Sequence, residues 1–162
     1  MKTSFSRFLC LLLLCGAVCL ASGQGGLKQT PQSQPDAKPS YHNHLPSEPL
    51  PDTLDPNQFA SNRPAFVSYS LAARIKSVLY QVPCYCGCDR EQGHGSLLDC
   101  FTTKHGVLCH ICQKEVMFCF RQQEKGKTTI QIREAMARGE VSKISITKDT
   151  NHFYKHILKT PE

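Results

Sequence analysis

Six cysteines lie between positions 84 and 112. Cys84, Cys86 and Cys88 crowd the run Pro83-Cys84-Tyr85-Cys86-Gly87-Cys88, Cys100 follows, and Cys109 with Cys112 forms a CxxC. Sulfur at this density implies bound metal, redox exchange or a disulfide staple. In an extended segment alternate side chains share a face, so the first three thiols can point one way. Gly87 lets the chain curl and bring them closer together. Convergent thiolates suit a soft ion such as copper(I) or zinc. Bridges between neighbours in this run would close tight, strained rings, and strained bridges are the readily reduced ones.

Cys109 and Cys112 open a predicted helix, whose N-terminal partial positive charge favours thiolate over thiol. That suits metal ligation and redox attack equally, with Cys109 attacking and Cys112 resolving, or the reverse. Three ordinary disulfides among the six cysteines are a third solution, with 15 connectivities open. His94 and His110 stand near the sulfurs in sequence and could complete a mixed nitrogen–sulfur set, whereas His105 is a weaker candidate. His42-Asn43-His44 reads as part of a linker. Cys119 behaves differently: seven residues beyond Cys112 on one helix, its Cα lies about 10.5 Å away. Metal–sulfur bonds near 2.3 Å do not bridge that gap, so Cys119 reads as a buried apolar thiol between Phe118 and Phe120. Asp99 and Glu115 make no convincing acid–base pair, and Gly93-His94-Gly95 lacks the flanks of a phosphate loop. The balance leans away from an enzyme.

The elements that position these residues are helical. Arg63-Pro64 begins a helix with proline in its first turn. Val67, Leu71, Ile75, Val78 and Leu79 recur at helical spacing as far as Pro83, which ends the element. A second helix is predicted over 96–103 and a third over 110–125, stopped by Gly126. A fourth opens at Thr128 or Thr129, where Thr128 and Gln131 form a capping box, and runs to Arg138. Residues 141–147 have strand character and 152–159 suit a loose helix, the run His152 to His156 reading as solvated tail. The expectation is a mainly α domain over 64–140, a small bundle of about four short helices stapled by the cysteine cluster. Residues 24–63 hold seven of the ten prolines and read as a disordered linker whose patch at 50–59 can dock on the domain. Residues 141–162 are a tail of uncertain structure.

The first 23 residues read as an export signal: Lys2 and Arg7, an apolar run from Phe8 to Leu20, then Ala21-Ser22-Gly23. That run is shorter than the roughly 20 apolar residues a membrane span needs, and no other candidate follows. The mature protein is then periplasmic or extracellular, membrane-bound only if lipidated at Cys19. Removing Lys2 and Arg7 lowers the formal charge from +6 to +4, with basic residues scattered, so nucleic acid is not an expected partner. Seven cysteines remain after the signal. Being odd in number, they leave at least one thiol free, intermolecular or on a metal.

With these residues in view, the chain resembles the PCYCGC-motif family of exported bacterial proteins and lipoproteins, also described as CYCxC-type (seleno)proteins. The resemblance rests on Pro83 to Cys88, Gly93-His94, Asp99-Cys100-Phe101 and Cys109-x-x-Cys112, with His42-x-His44 and Ile130 to Glu134 as weaker matches. Selenocysteine in some relatives implies that a cysteine of the motif does chemistry. The Cys100-to-Cys109 spacing and the presence of Cys119 depart from the family pattern, and His110 stands where glycine is expected. The combined expectation is a soft-metal-binding protein holding copper(I) or zinc on Cys84, Cys86, Cys88, Cys100, Cys109 and Cys112, with His94 and His110 as further ligands. The alternatives are a thiol–disulfide redox protein and a disulfide-stapled interaction domain. Its partners would be a metal ion or a thiol-bearing protein.

Overall fold

Asn62 starts the first helix, its side-chain oxygen accepting the Ala65 N–H at 3.3 Å. With Pro64 in the first turn, helix α1 (Arg63–Arg74) buries Ala65, Val67, Tyr69, Leu71 and Ala72. The single rod expected as far as Pro83 breaks at Ile75, which leaves helical geometry at φ −125°, ψ 31°. A separate helix, α2 (Lys76–Tyr80), continues beyond it. The break re-aims the chain so that Ile75, Val78 and Leu79 all reach the core.

The computed structural model describes residues 38–159. The export signal, Cys19, the linker before residue 38 and the last three residues lie outside the described residues. The described residues belong to one compact unit. They form helices joined by turns, and no strand occurs among them. After α2 come three one-turn helices, α3 (Cys88–Glu91), α4 (Asp99–Thr102) and α5 (His105–Leu108). The longer α6 (His110–Glu124) and α7 (Thr129–Ala137) follow, and α8 (Ile146–Lys159) closes the fold. The helix expected over 96–103 is thus only one turn long. That expected from 128 or 129 to 138 is present, with both halves of the Thr128–Gln131 capping box formed.

Two departures concern the ends of the domain. Residues 141–147 form no strand. A 3-10 turn covers Glu140–Lys143, and α8 begins at Ile146 behind Ser145, whose hydroxyl accepts the Lys148 N–H. Asp149 accepts the Ser145 N–H at 2.7 Å and pairs with Arg121 of α6. Phe153 and Ile157 are buried on the core, so the expected solvated run is one face of a packed helix lying against α1 and α6. At the other end, residues 38–62 are laid over the domain rather than trailing from it. Phe59 packs on Tyr69 with ring centroids 4.5 Å apart, and the Leu54 N–H donates to the Phe101 carbonyl at 2.9 Å. His42 stacks on Tyr80 at 3.9 Å. No helix among the described residues is long and apolar enough to cross a membrane.

Candidate metal centre

The motif loop is held from both sides. Val82 and Leu79 carbonyls accept the Leu97 and Leu98 N–H groups at 3.0 and 3.2 Å, tying the end of α2 to the segment before α4. Gly87 sits at φ +87°, a conformation that disfavours side chains, and its carbonyl accepts the Arg90 and Glu91 N–H groups that start α3. This turn folds Cys88 back under Cys84 and Cys86. The second wall comes from α4 to α6. Asp99 accepts the Gly95 and Ser96 N–H groups and shapes the approach to Cys100. At Gly106 a Cβ would meet Phe101 Cε1 at 3.0 Å and the Cys100 carbonyl at 3.1 Å, so glycine lets α5 close on α4 without displacing either. Gln113, buried on α6, donates to the Gly106 and Val107 carbonyls and locks α5 to α6.

These restraints bring all six predicted sulfurs together. Cys84 Sγ lies 3.3 Å from Cys86 Sγ and 3.5 Å from Cys112 Sγ. Cys112 and Cys86 are 3.8 Å apart, and Cys88 and Cys100 are 3.5 Å apart. All seven described cysteines from Cys84 to Cys119 are free thiols. Two sulfurs bound 2.3 Å from one tetrahedral ion stand about 3.8 Å apart, so the observed separations are close to the edges of such a site. The donors are soft, mostly buried and convergent, and they fit a soft metal ion. Two groups meet that requirement: Cys86, His105, Cys109 and Cys112, and the triad Cys84, Cys88 and Cys100, the ligating atoms of each lying within 4.8 Å of one another.

The histidines sort differently from expectation. His94 Nδ1 is 3.4 Å from Cys100 Sγ, as its proximity in sequence suggests. His110, the other favoured imidazole, is exposed at the start of α6 and belongs to neither group. Its place is taken by His105, whose Nε2 lies 3.4 Å from Cys86 Sγ. Spacing gave no signal for this, since Cys109 lies past the end of α5 in extended geometry. Gln92 Nε2 lies 2.8 Å from His105 Nδ1. Ligation through His105 Nε2 requires this amide to rotate, so that its oxygen accepts Nδ1–H and supports the ring as metal-bound histidines usually are supported.

The thiols share their protons unequally. Hydrogen bonding from Cys112 holds the Cys109 thiol down at about 5 despite burial, helped by the Ile111 and Cys112 backbone N–H groups at the helix start. Hydrogen bonding with Cys84 brings Cys88 to about 5 as well. Cys112 is driven far up by its hydrogen bonds to Cys100 and Cys109, and Cys86 rises to about 11 mainly through burial. In each group one thiol is thus held below its ordinary range and the others above it, and the thiol protons must leave when a metal binds.

Glu115, weighed in the sequence only as an acid–base partner of Asp99, has a different role, which a lone acidic residue in a helix does not signal by spacing. It is 1% exposed, and its Oε1 accepts the Tyr85 N–H at 2.8 Å, pinning the motif between Cys84 and Cys86. Oε2 is buried without a hydrogen-bond partner. Burial pushes this carboxyl up to about 8. Cys119 stays apart from the cluster, with its sulfur 3.7 Å from Met136 Sδ in the apolar core. His42 and His44 do not reach the sulfurs' groups, and His42 instead packs over Gly95.

The sequence model of a family described as "Protein of unknown function with PCYCGC motif" matches residues 47–142. Comparisons with curated proteins and with solved structures return no match.

Proposed function

This chain belongs to the PCYCGC-motif family, and we propose that it is an exported protein that captures or delivers a soft metal ion, copper(I) or zinc, outside the cytoplasm. The observation that carries this reading is the convergence of six thiols and an imidazole into two groups of metal-sized span. A passive staple needs its sulfurs in bonded pairs, whereas here Cys84 lies at similar distances from both Cys86 and Cys112. A continuous thiol cluster is costly to keep reduced in an oxidising compartment unless an ion holds it. The export half of the proposal rests on the charged, apolar and small-residue sequence of positions 1–23.

The test is metal content and free-thiol count on one sample, taken anaerobically from the native compartment without reductant. The expected result is bound copper or zinc, with every thiol of the cluster masked until a chelator is added. A metal-free protein that then takes up neither ion sinks the proposal.

One observation favours a second reading. Cys109 is half-buried, thiolate-prone and one helical turn from Cys112, the arrangement of an attacking and a resolving thiol. In that role the metal-free protein reduces a model disulfide, and Cys109→Ser abolishes the reaction. Failure to reduce one at any pH from 6 to 9 removes this alternative.

A further inference from the structure

Resting on the metal-binding reading above, we infer that the cluster is two soft-metal sites of unequal exchange rate rather than one. An inner site uses Cys84, Cys88, Cys100 and His94, and an outer site uses Cys86, His105, Cys109 and Cys112.

Donor count is the first support. One tetrahedral ion takes four ligands, and three cysteines with one histidine is a recurrent zinc set. Six sulfurs and two imidazoles supply that set twice. Each group holds three cysteines, and each has a histidine against one of its sulfurs: His105 on Cys86 and His94 on Cys100, both at 3.4 Å. The two imidazoles themselves pack edge to face with centroids 5.2 Å apart. His94 thus touches one sulfur of the inner triad, Cys100, and completing the set requires its ring to swing toward Cys84 and Cys88.

Charge points the same way. Six thiolates with two divalent ions keep a formal charge of −2. A single divalent ion leaves −4, or buried thiols that stay protonated and unligated beside it.

Burial makes the two sites unequal. Cys84, Cys88 and Cys100 are at most 3% exposed. Cys86, Cys109 and His105 are only partly covered. His105 and Cys109 line an open recess of about 710 Å³ together with Gln92, Thr103, Lys104 and Leu108, while none of the inner sulfurs reaches it. His94 lines the same recess, so the inner site offers one ligand there against two of the outer site. An incoming ligand can therefore displace Cys109 or His105 directly. The inner ion is reached only after His94 moves or through the Cys84 contacts with Cys86 and Cys112, which join the two sites. The outer ion is the one exchanged, and the inner ion holds the motif loop in shape.

The experiment uses the mature chain, titrated anaerobically with zinc alone and followed by native mass spectrometry, then challenged with a chromophoric chelator. Two ions per chain are expected, removed in two phases of equal amplitude. His105→Ala should speed the fast phase at least about tenfold, the lower range for losing a group that merely supports a ligand, and leave the slow phase unchanged. His94→Ala should act on the slow phase alone. Cobalt(II) spectra provide a second readout: each variant should lose tetrahedral absorption from one ion only, and circular dichroism checks that it remains folded. One ion per chain, two ions leaving in a single phase, or either histidine variant altering both phases overturns the two-site assignment while leaving a metal protein. Binding of neither zinc nor cobalt overturns the metal reading itself.

Discussion

Helix α6 carries cysteines at two levels, and the two have opposite chemistry. Cys112, in the first turn, lies 3.5 Å from Cys84 and 3.8 Å from Cys86. Cys119, two turns on, touches Met136 among Phe118 and Phe120. Both are fully buried, and both thiols are pushed well above their ordinary range, for different reasons. Burial accounts for Cys119. For Cys112 the leading cause is hydrogen bonding to Cys100 and Cys109, and the same sharing lets Cys109 fall to about 5. Burial alone makes a thiol inert. Burial beside other thiols instead divides the protons unequally, lowering Cys109 and Cys88 while their neighbours rise. Glu115 sits between the two levels, enclosed like Cys119 but hydrogen-bonded to the motif loop like a member of the cluster.

The sharpest way to break this comparison is alkylation of the metal-free protein at pH 7. Cys109 should react at least about a thousandfold faster than Cys119, whose exposure requires unfolding with an equilibrium constant of roughly 10³ or more. Comparable rates by peptide mapping would mean that α6 does not separate the two levels. Zinc gives the next largest effect. At free zinc a thousandfold above Kd the wild type should gain about 4 kcal/mol, read as a rise in Tm. Cys112→Ser should lose most of that gain. Cys119→Ser should keep it, although burying a hydroxyl without a partner lowers metal-free stability by about 1–3 kcal/mol. Equal loss of the zinc increment in both variants would merge the levels.

Glu115→Gln tests the boundary and should have the smallest effect. The carboxyl, raised from 4.5 to about 8, is protonated in the fold. Its contribution to stability is complete below pH 4.5 and is lost as pH rises through about 8. Glutamine keeps an oxygen to accept the Tyr85 N–H and does not titrate. Urea melts of the metal-free variant should therefore fall less steeply from pH 5 to 8.5 than those of the wild type. Parallel curves would show that Glu115 is not held neutral.

Much of this was legible because it is local. The capping box at Thr128 and Gln131, the starts of α1 and α6, and the separation of Cys119 from Cys112 follow from spacing within one or two turns. Where contacts span many residues, the reading failed in identifiable places. The break at Ile75 reflects the demand that Val78 and Leu79 reach a core built by distant helices. The apolar positions 153 and 157 were visible as a loose helix, but only α1 and α6 make them core. His105 was ranked below His110 because the loop closure through Gly106 and Gln113, which turns α5 inward and leaves His110 outside, has no signature in sequence.

By itself, the sequence determined that six thiols belong together, that helices deliver them, and that the seventh stands apart, since residue type and helical repeat are properties of the chain. Only the tertiary structure decided how the six divide, which imidazoles join them, and which face meets solvent. Those choices depend on close approach between segments up to about thirty residues apart, as in the 3.5 Å separation of Cys84 and Cys112 sulfurs. Packing sets such distances, and no local rule encodes them.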